Sequence, residues 1–144
     1  MGDRAKQIIR KEGVPEKKGL RELLEVVREK NLYTAVASGS DKEVVKEYVD
    51  NAGLSSCFDM ILSAKEVKRG KPYPDVFLEI CQQLNVKPEE ALVLEDSANG
   101  VQAALAGELP VINIPDLIPI PEEQQEKCKA VVGDLIQVIP FIHR

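Results

Sequence analysis

Three short stretches carry the side chains able to do chemistry, and two of them stand where an apolar run stops. The run Ala91, Leu92, Val93, Leu94 ends in the adjacent carboxylates Glu95 and Asp96. Neighbouring carboxylates repel, so keeping both charged calls for a cation or a shared proton. Asp96 and Ser97 would also serve as plain caps of a following helix. The run Leu32–Ala37 stops at Ser38, Gly39, Ser40 and Asp41. A hydroxyl at a strand end, followed by Gly and Ser before a helix, offers O–H and backbone N–H donors to an anion. Ser40 or Asp41 as an ordinary N-cap is the alternative. The third stretch is KRGKPYPD, where Gly70, Pro72 and Pro74 impose an irregular backbone around Lys71. A lysine so held, with Asp75 near to orient it, suits a point-charge contact to a phosphoryl oxygen. A solvated loop lysine is the plainer alternative, and Lys65 and Lys68 are equally eligible by charge.

Together the donors at Ser38, the cation at Lys71 and the pair Glu95 and Asp96 make the set that magnesium-assisted phosphoryl transfer uses. A nucleophile is absent from that set. No Asp ends an early strand with a second Asp two residues on, and Asp3 has no apolar run before it. His143, the only histidine, reads as a surface residue at the end of the chain.

These groups need a scaffold that presents strand ends side by side. From Leu20 to Lys30 the apolar residues Leu20, Leu23, Leu24, Val26 and Val27 recur at helical spacing. Strand Leu32–Ala37 and helix Lys42–Asn51 follow, then strand Phe58–Leu62, a polar segment and helix Asp75–Leu84. Strand Ala91–Leu94, a small-residue helix from Asn99 to Leu105 and strand Val111–Ile114 continue the alternation. A Pro-rich connection, a short helical segment, a brief strand at Ala130–Val132 and a final helix or turn close it. Strands alternating with helices of this length predict right-handed βαβ units and an α/β, Rossmann-like, doubly wound and mostly parallel sheet. In such sheets ligands bind outside the carboxyl ends of the strands. Residues Arg4–Lys11, with Ile8 and Ile9 as anchors, read as the tail of a helix closed by Gly13.

Bulk properties narrow the function classes. The chain has 144 residues, 44% hydrophobic and 30% charged, which suits one soluble domain. A net charge of −5 leaves no basic surplus for nonspecific nucleic-acid binding. Cys57, Cys81 and Cys128 are scattered and form no CxxC pair, which fits a reducing cytoplasm better than a disulfide framework or zinc site. No apolar run approaches the roughly 18 residues of a membrane span.

In motif and order the residues resemble the haloacid dehalogenase-like hydrolase superfamily, in its β-phosphoglucomutase-like subgroup. AVASGS resembles the family's second motif, RGKPYPD the third and VLEDSANG the fourth. GVPEKKGLRELLEVVREKNL resembles the segment leading from the cap domain back into the core. The resemblance implies that Ser38 and Lys71 hold the transferring phosphate, and that Asp96 with help from Glu95 holds Mg2+. Gly39, Ser40 and Asp41 would border the substrate, expected to be a sugar phosphate. The family's first motif, a DxD whose first Asp is the nucleophile, has no counterpart here. The expected division is therefore a cap-helix remnant at residues 1–12 and a partial core at 13–144, with the family's central first strand absent. Two strand edges would then lie open, to be closed by homodimerisation, by direct pairing or by a separate amino-terminal segment.

Two functions of different class follow. One is the carboxyl-terminal part of a magnesium-dependent phosphatase or phosphosugar mutase, inactive alone for want of its nucleophile. The other is a noncatalytic module that binds phosphate or a partner. A generic nucleotide binder is disfavoured by the absence of any GxGxxG or GxxxxGK[ST].

Overall fold

The computed structural model describes residues 6–10, by their backbone, together with 18–70 and 72–142. Six parallel strands form one sheet: β1 (Lys6–Arg10), β2 (Tyr33–Ser38), β3 (Met60–Ser63), β4 (Ala91–Glu95), β5 (Val111–Asn113) and β6 (Ala130–Val131), in the order β3-β2-β1-β4-β5-β6. Five helices connect them: α1 (Leu20–Glu29), α2 (Lys42–Asn51), α3 (Asp75–Gln83), α4 (Ala98–Ala106) and α5 (Glu122–Lys127). The doubly wound α/β class expected from the alternation is the class observed.

Side-chain period explains the layering. Along β2 and β4 successive residues point to opposite faces. Val36, Leu92 and Leu94 accordingly join the buried residues of α1 and α2 in one apolar cluster, with Leu20, Leu23, Leu24, Val27, Val45 and Val49. Ala35, Ala37, Ala91 and Val93 join the other face, with Val76, Phe77, Ile80, Val101 and Ala104 of α3 and α4. Helices α1 to α4 therefore each bury one stripe, and all five residues of β4 are buried. Emptying Phe77, which has no exposed surface, to alanine costs about 3–5 kcal/mol.

The first cluster is closed by a 3-10 turn at Leu135–Phe141, which lies on α1. Leu135 N donates to Lys18 O at 3.2 Å, just before Gly19 starts the helix in a left-handed conformation, φ 89°. Among the described residues no helix is long and apolar enough to cross a membrane.

The segment expected as a helix tail is a strand. Lys6–Arg10 runs parallel to both neighbours, five residues in register with β2 and four with β4. The open centre expected between β2 and β4 is thus occupied, by residues that the sequence assigns to a cap-helix remnant. The physical reason lies in the flanks. Two buried strand edges with unpaired N–H and C=O groups are costly, and a ladder on both sides outweighs a weak local preference for helix.

Candidate functional site

Among the described residues five polar side chains are buried in the core: Thr34, Ser38, Ser63, Glu95 and Asn113. Thr34 lies at the amino end of β2. The other four are the last residues of β2, β3, β4 and β5. Registers Ser38↔Ser63 and Glu95↔Asn113 set them side by side in two pairs, one on each side of β1. With strands about 4.8 Å apart, the tips of β2 and β4 stand roughly 10 Å from each other across β1. Concentrating polar groups at the carboxyl end of an open parallel sheet is how this architecture builds ligand sites.

On the β2 side the loop after the strand is tied down by hydroxyls. Ser40 N donates to Ser38 Oγ at 3.0 Å. Ser63 Oγ donates to Ser40 O at 2.7 Å, and Lys65 N donates to Ser63 Oγ at 3.1 Å. Glu66 completes a capping box by accepting from Ser63 N at 2.8 Å. Asp41 occupies the N-cap position of α2 without a side-chain cap, and instead pairs with Lys65 at 3.0 Å. Gly39 lies between these anchored residues, half-buried.

On the β4 side Glu95 is turned inward. Its Oε1 accepts from Asp96 N at 3.1 Å, Ser97 N at 3.2 Å and Ser97 Oγ at 3.1 Å. Ser97 in turn caps α4 by accepting from Gly100 N at 3.1 Å, as the sequence allowed. Asn113 Nδ2 donates to Glu95 O at 3.0 Å and fixes the end of β4 against β5. Asp96 is the half-exposed member of the acidic pair. Leu117 and Ile118, in the connection that follows β5, are 91% and 77% exposed.

Lys71 lies outside the described residues. Asp75, expected to orient it, accepts from Arg69, Nη2 at 3.1 Å and Nε at 3.3 Å, while Arg69 lies 4.3 Å from the centre of the Tyr73 ring. A guanidinium fork matches a carboxylate better than an ammonium does. Ser63 and Asn113 were not singled out by sequence reasoning. Their signal is there, a hydroxyl or amide ending an apolar run in MILS and VIN, just as in YTAVAS.

Among the described residues no three His, Cys, Asp or Glu side chains converge to hold a metal. Glu95 spends one oxygen on the turn, so Asp96 alone of the pair is half-exposed. Mg2+ takes six oxygens and ordinarily uses one or two carboxylates with substrate and water. Asp96, with substrate and water, falls within that range, so the described residues fit Mg2+ held jointly with a bound phosphate.

A cavity of about 460 Å³ opens at the opposite, amino end of the sheet, where Arg21, Arg28, Thr34, Cys57 and Asp59 are among its lining residues. It shares no residue with the strand tips.

A parallel sheet covered by helices on both faces, with polar side chains buried at the strand tips, defines an α/β core of the Rossmann-like class. The profile of the haloacid dehalogenase-like hydrolases matches residues 3–107, and the chain belongs to that family. It is 38% identical over 89 residues to a phosphorylated carbohydrates phosphatase of Thermotoga maritima, covering 62% of this chain and 41% of that protein. It is 32% identical over 108 residues to hexitol phosphatase B of Escherichia coli, covering 75% and 47%. Its fold matches a crystal structure of β-phosphoglucomutase from Clostridium difficile with a TM-score of 0.72 at 27% identity, over 85% of this chain and 52% of that one. The chain spans less than half the length of these two relatives.

Proposed function

We propose that this chain is the core portion of a phosphohydrolase or phosphosugar mutase, and that its strand tips hold the phosphate of a phosphorylated sugar. The row Ser63, Ser38, Glu95, Asn113 at the carboxyl ends of four strands carries the reading. Ser38 and Lys71 would hold the phosphoryl oxygens, with Gly39, Ser40 and Asp41 at the substrate's border. The relatives' names, a phosphorylated carbohydrates phosphatase and a hexitol phosphatase, support a sugar phosphate as the ligand class. Three free cysteines support a reducing, cytoplasmic setting.

In the complete enzyme the chemistry would be transfer through an aspartyl-phosphate. In this chain β1 spells KQIIR, so no Asp stands at its tip. Losing a covalent nucleophile commonly removes several orders of magnitude in rate. The chain alone is therefore expected to release no phosphate from p-nitrophenyl phosphate or hexose phosphates, with or without Mg2+. Robust turnover lost in Asp96→Asn would overturn that expectation. Mg2+ would have Asp96 as its ligand here and would bind weakly or not at all by itself.

The noncatalytic reading is favoured by one observation, a basic Arg10 rather than a carboxylate at the end of β1, in register with Ala37. Calorimetry with inorganic phosphate and hexose phosphates tests both: saturable binding weakened by Ser38→Ala and Lys71→Ala supports the phosphate site. Heat effects indifferent to both substitutions would sink it.

A further inference from the structure

Asn113 is the one buried amide side chain among the described residues, and the strand ladder does not require it. It ends β5, spelled VIN, with none of its surface exposed. A valine there would complete an apolar run, whereas Asn113 leaves its own Oδ1 buried without a hydrogen-bond partner. An unmet buried acceptor costs stability, so the reason for the residue lies at its other end. There Nδ2 donates to Glu95 O at 3.0 Å, an oxygen that already accepts from Ile114 N at 3.0 Å. The bond from Ile114 is enough for the ladder, and Asn113 fills the remaining lone pair of the carbonyl. A buried polar group that breaks the local apolar pattern marks a functional position.

The tie acts on the peptide that joins the two carboxylates. Its oxygen is held by Ile114 N and Asn113 Nδ2, and its N–H, that of Asp96, donates to Glu95 Oε1 at 3.1 Å. On the far side of Asp96 the next N–H, that of Ser97, donates to the same Oε1 at 3.2 Å. A planar peptide held at both polar atoms cannot swing, so the direction in which Asp96 leaves the backbone is set before a ligand arrives. We propose that Asn113 is a positioning residue: it fixes the Glu95–Asp96 peptide and so keeps the half-exposed Asp96 carboxylate ready for a cation shared with a bound phosphate. The inference rests on the phosphate reading above. Without the tie, Asp96 is ordered only on binding, and the cost of that ordering lowers affinity. Ser38 is unaffected, since it stands on the other side of β1, paired with Ser63 of β3.

Asn113→Leu keeps the shape of the side chain and removes the donor, and Asn113→Val replaces it if the leucine variant does not fold. The first measurement is calorimetry of the full chain with inorganic phosphate, with and without Mg2+. In the wild type Mg2+ should tighten phosphate binding; in Asn113→Leu that gain should shrink about tenfold, while affinity without Mg2+ stays within about twofold. General damage to the fold lowers both affinities, so equal losses with and without Mg2+ would overturn the proposal, as would a wild type that binds phosphate equally in both conditions. In an Asp96→Asn background Asn113→Leu should remove nothing further, because it acts through Asp96. The second measurement needs no ligand: in Asn113→Leu the amide order parameter of Asp96 should fall below the roughly 0.85 of rigid backbone while that of Val93 holds. If the wild type binds no phosphate at all, the phosphate reading fails and the order parameter decides. An Asp96 equally ordered in wild type and variant refutes the positioning role.

Discussion

A β-carbon on Gly100 would lie 1.9 Å from Cδ of Glu95, so α4 can approach the end of β4 only where residue 100 has no side chain. Glu95 cannot readily step aside, because it is 1% exposed and its Oε1 accepts three hydrogen bonds. Gly100→Ala should therefore lower the unfolding free energy by about 2–3 kcal/mol, measured by urea denaturation. In a Glu95→Ala background the same change should cost at least about 1 kcal/mol less. Additive costs would show that the two residues do not compete for space.

The buried Ser63 hydroxyl and the surface ion pair Lys65–Asp41 both hold the loop that carries Ser38–Asp41, and these should differ in weight. Ser63→Ala leaves the Ser40 carbonyl without its donor and should cost about 1–2 kcal/mol. Lys65 and Asp41 have side chains 63% and 59% exposed, so Lys65→Ala should change stability by less than about 0.5 kcal/mol. Equal effects in the two variants would contradict this ranking.

Burial, with the Glu90 carboxylate adding to it, pushes the Cys81 thiol from 9.0 up to about 11. Between those values the unfolded chain has lost a proton that the native state keeps. The contribution is thus intact below pH 9 and declines as pH rises, by about 2 kcal/mol at pH 11. Other groups titrate in the same range, so the readout is a difference: Cys81→Ala should be less stable at neutral pH and lose less stability on going alkaline. Parallel curves for the two proteins would refute it.

Gly19 starts α1 at φ 89° with its virtual β-carbon 2.6 Å from Ile136 N. The obstacle is backbone, which cannot rotate away. Gly19→Ala should cost at least about 2 kcal/mol and should loosen the 3-10 turn Leu135–Phe141, visible as faster amide exchange there. Thermal unfolding unchanged from the wild type would show that the carboxyl-terminal turn gives way freely.

Most of the scaffold was legible because apolar period and flanking breakers agree. Helix α2 has the bounds read from sequence, Lys42–Asn51, and β2, β4 and β5 fall within a residue or so of Leu32–Ala37, Ala91–Leu94 and Val111–Ile114. At Lys6–Arg10 nothing local announces a strand. Its ladder partners lie more than twenty residues away, and the demand for pairing comes from β2 and β4. At the site, Ser38 and Asp96 were readable as polar residues following apolar runs. Ser63 and Asn113 are equally so placed, but their importance appears only when register sets Ser63 beside Ser38 and Asn113 beside Glu95. The inward turn of Glu95 depends on Ser97 and Gly100 together, and adjacency to Asp96 alone does not reveal it.

The contact between α1 and Leu135–Phe141 also sets a clock. Synthesis at about 5–20 residues per second puts roughly 5–20 s between the emergence of α1 and that of the turn that covers it. Throughout that interval the growing chain carries an uncovered stripe that includes Leu20 and Leu23. Nascent chains stalled before residue 135 should therefore recruit chaperones more strongly than chains stalled after residue 142.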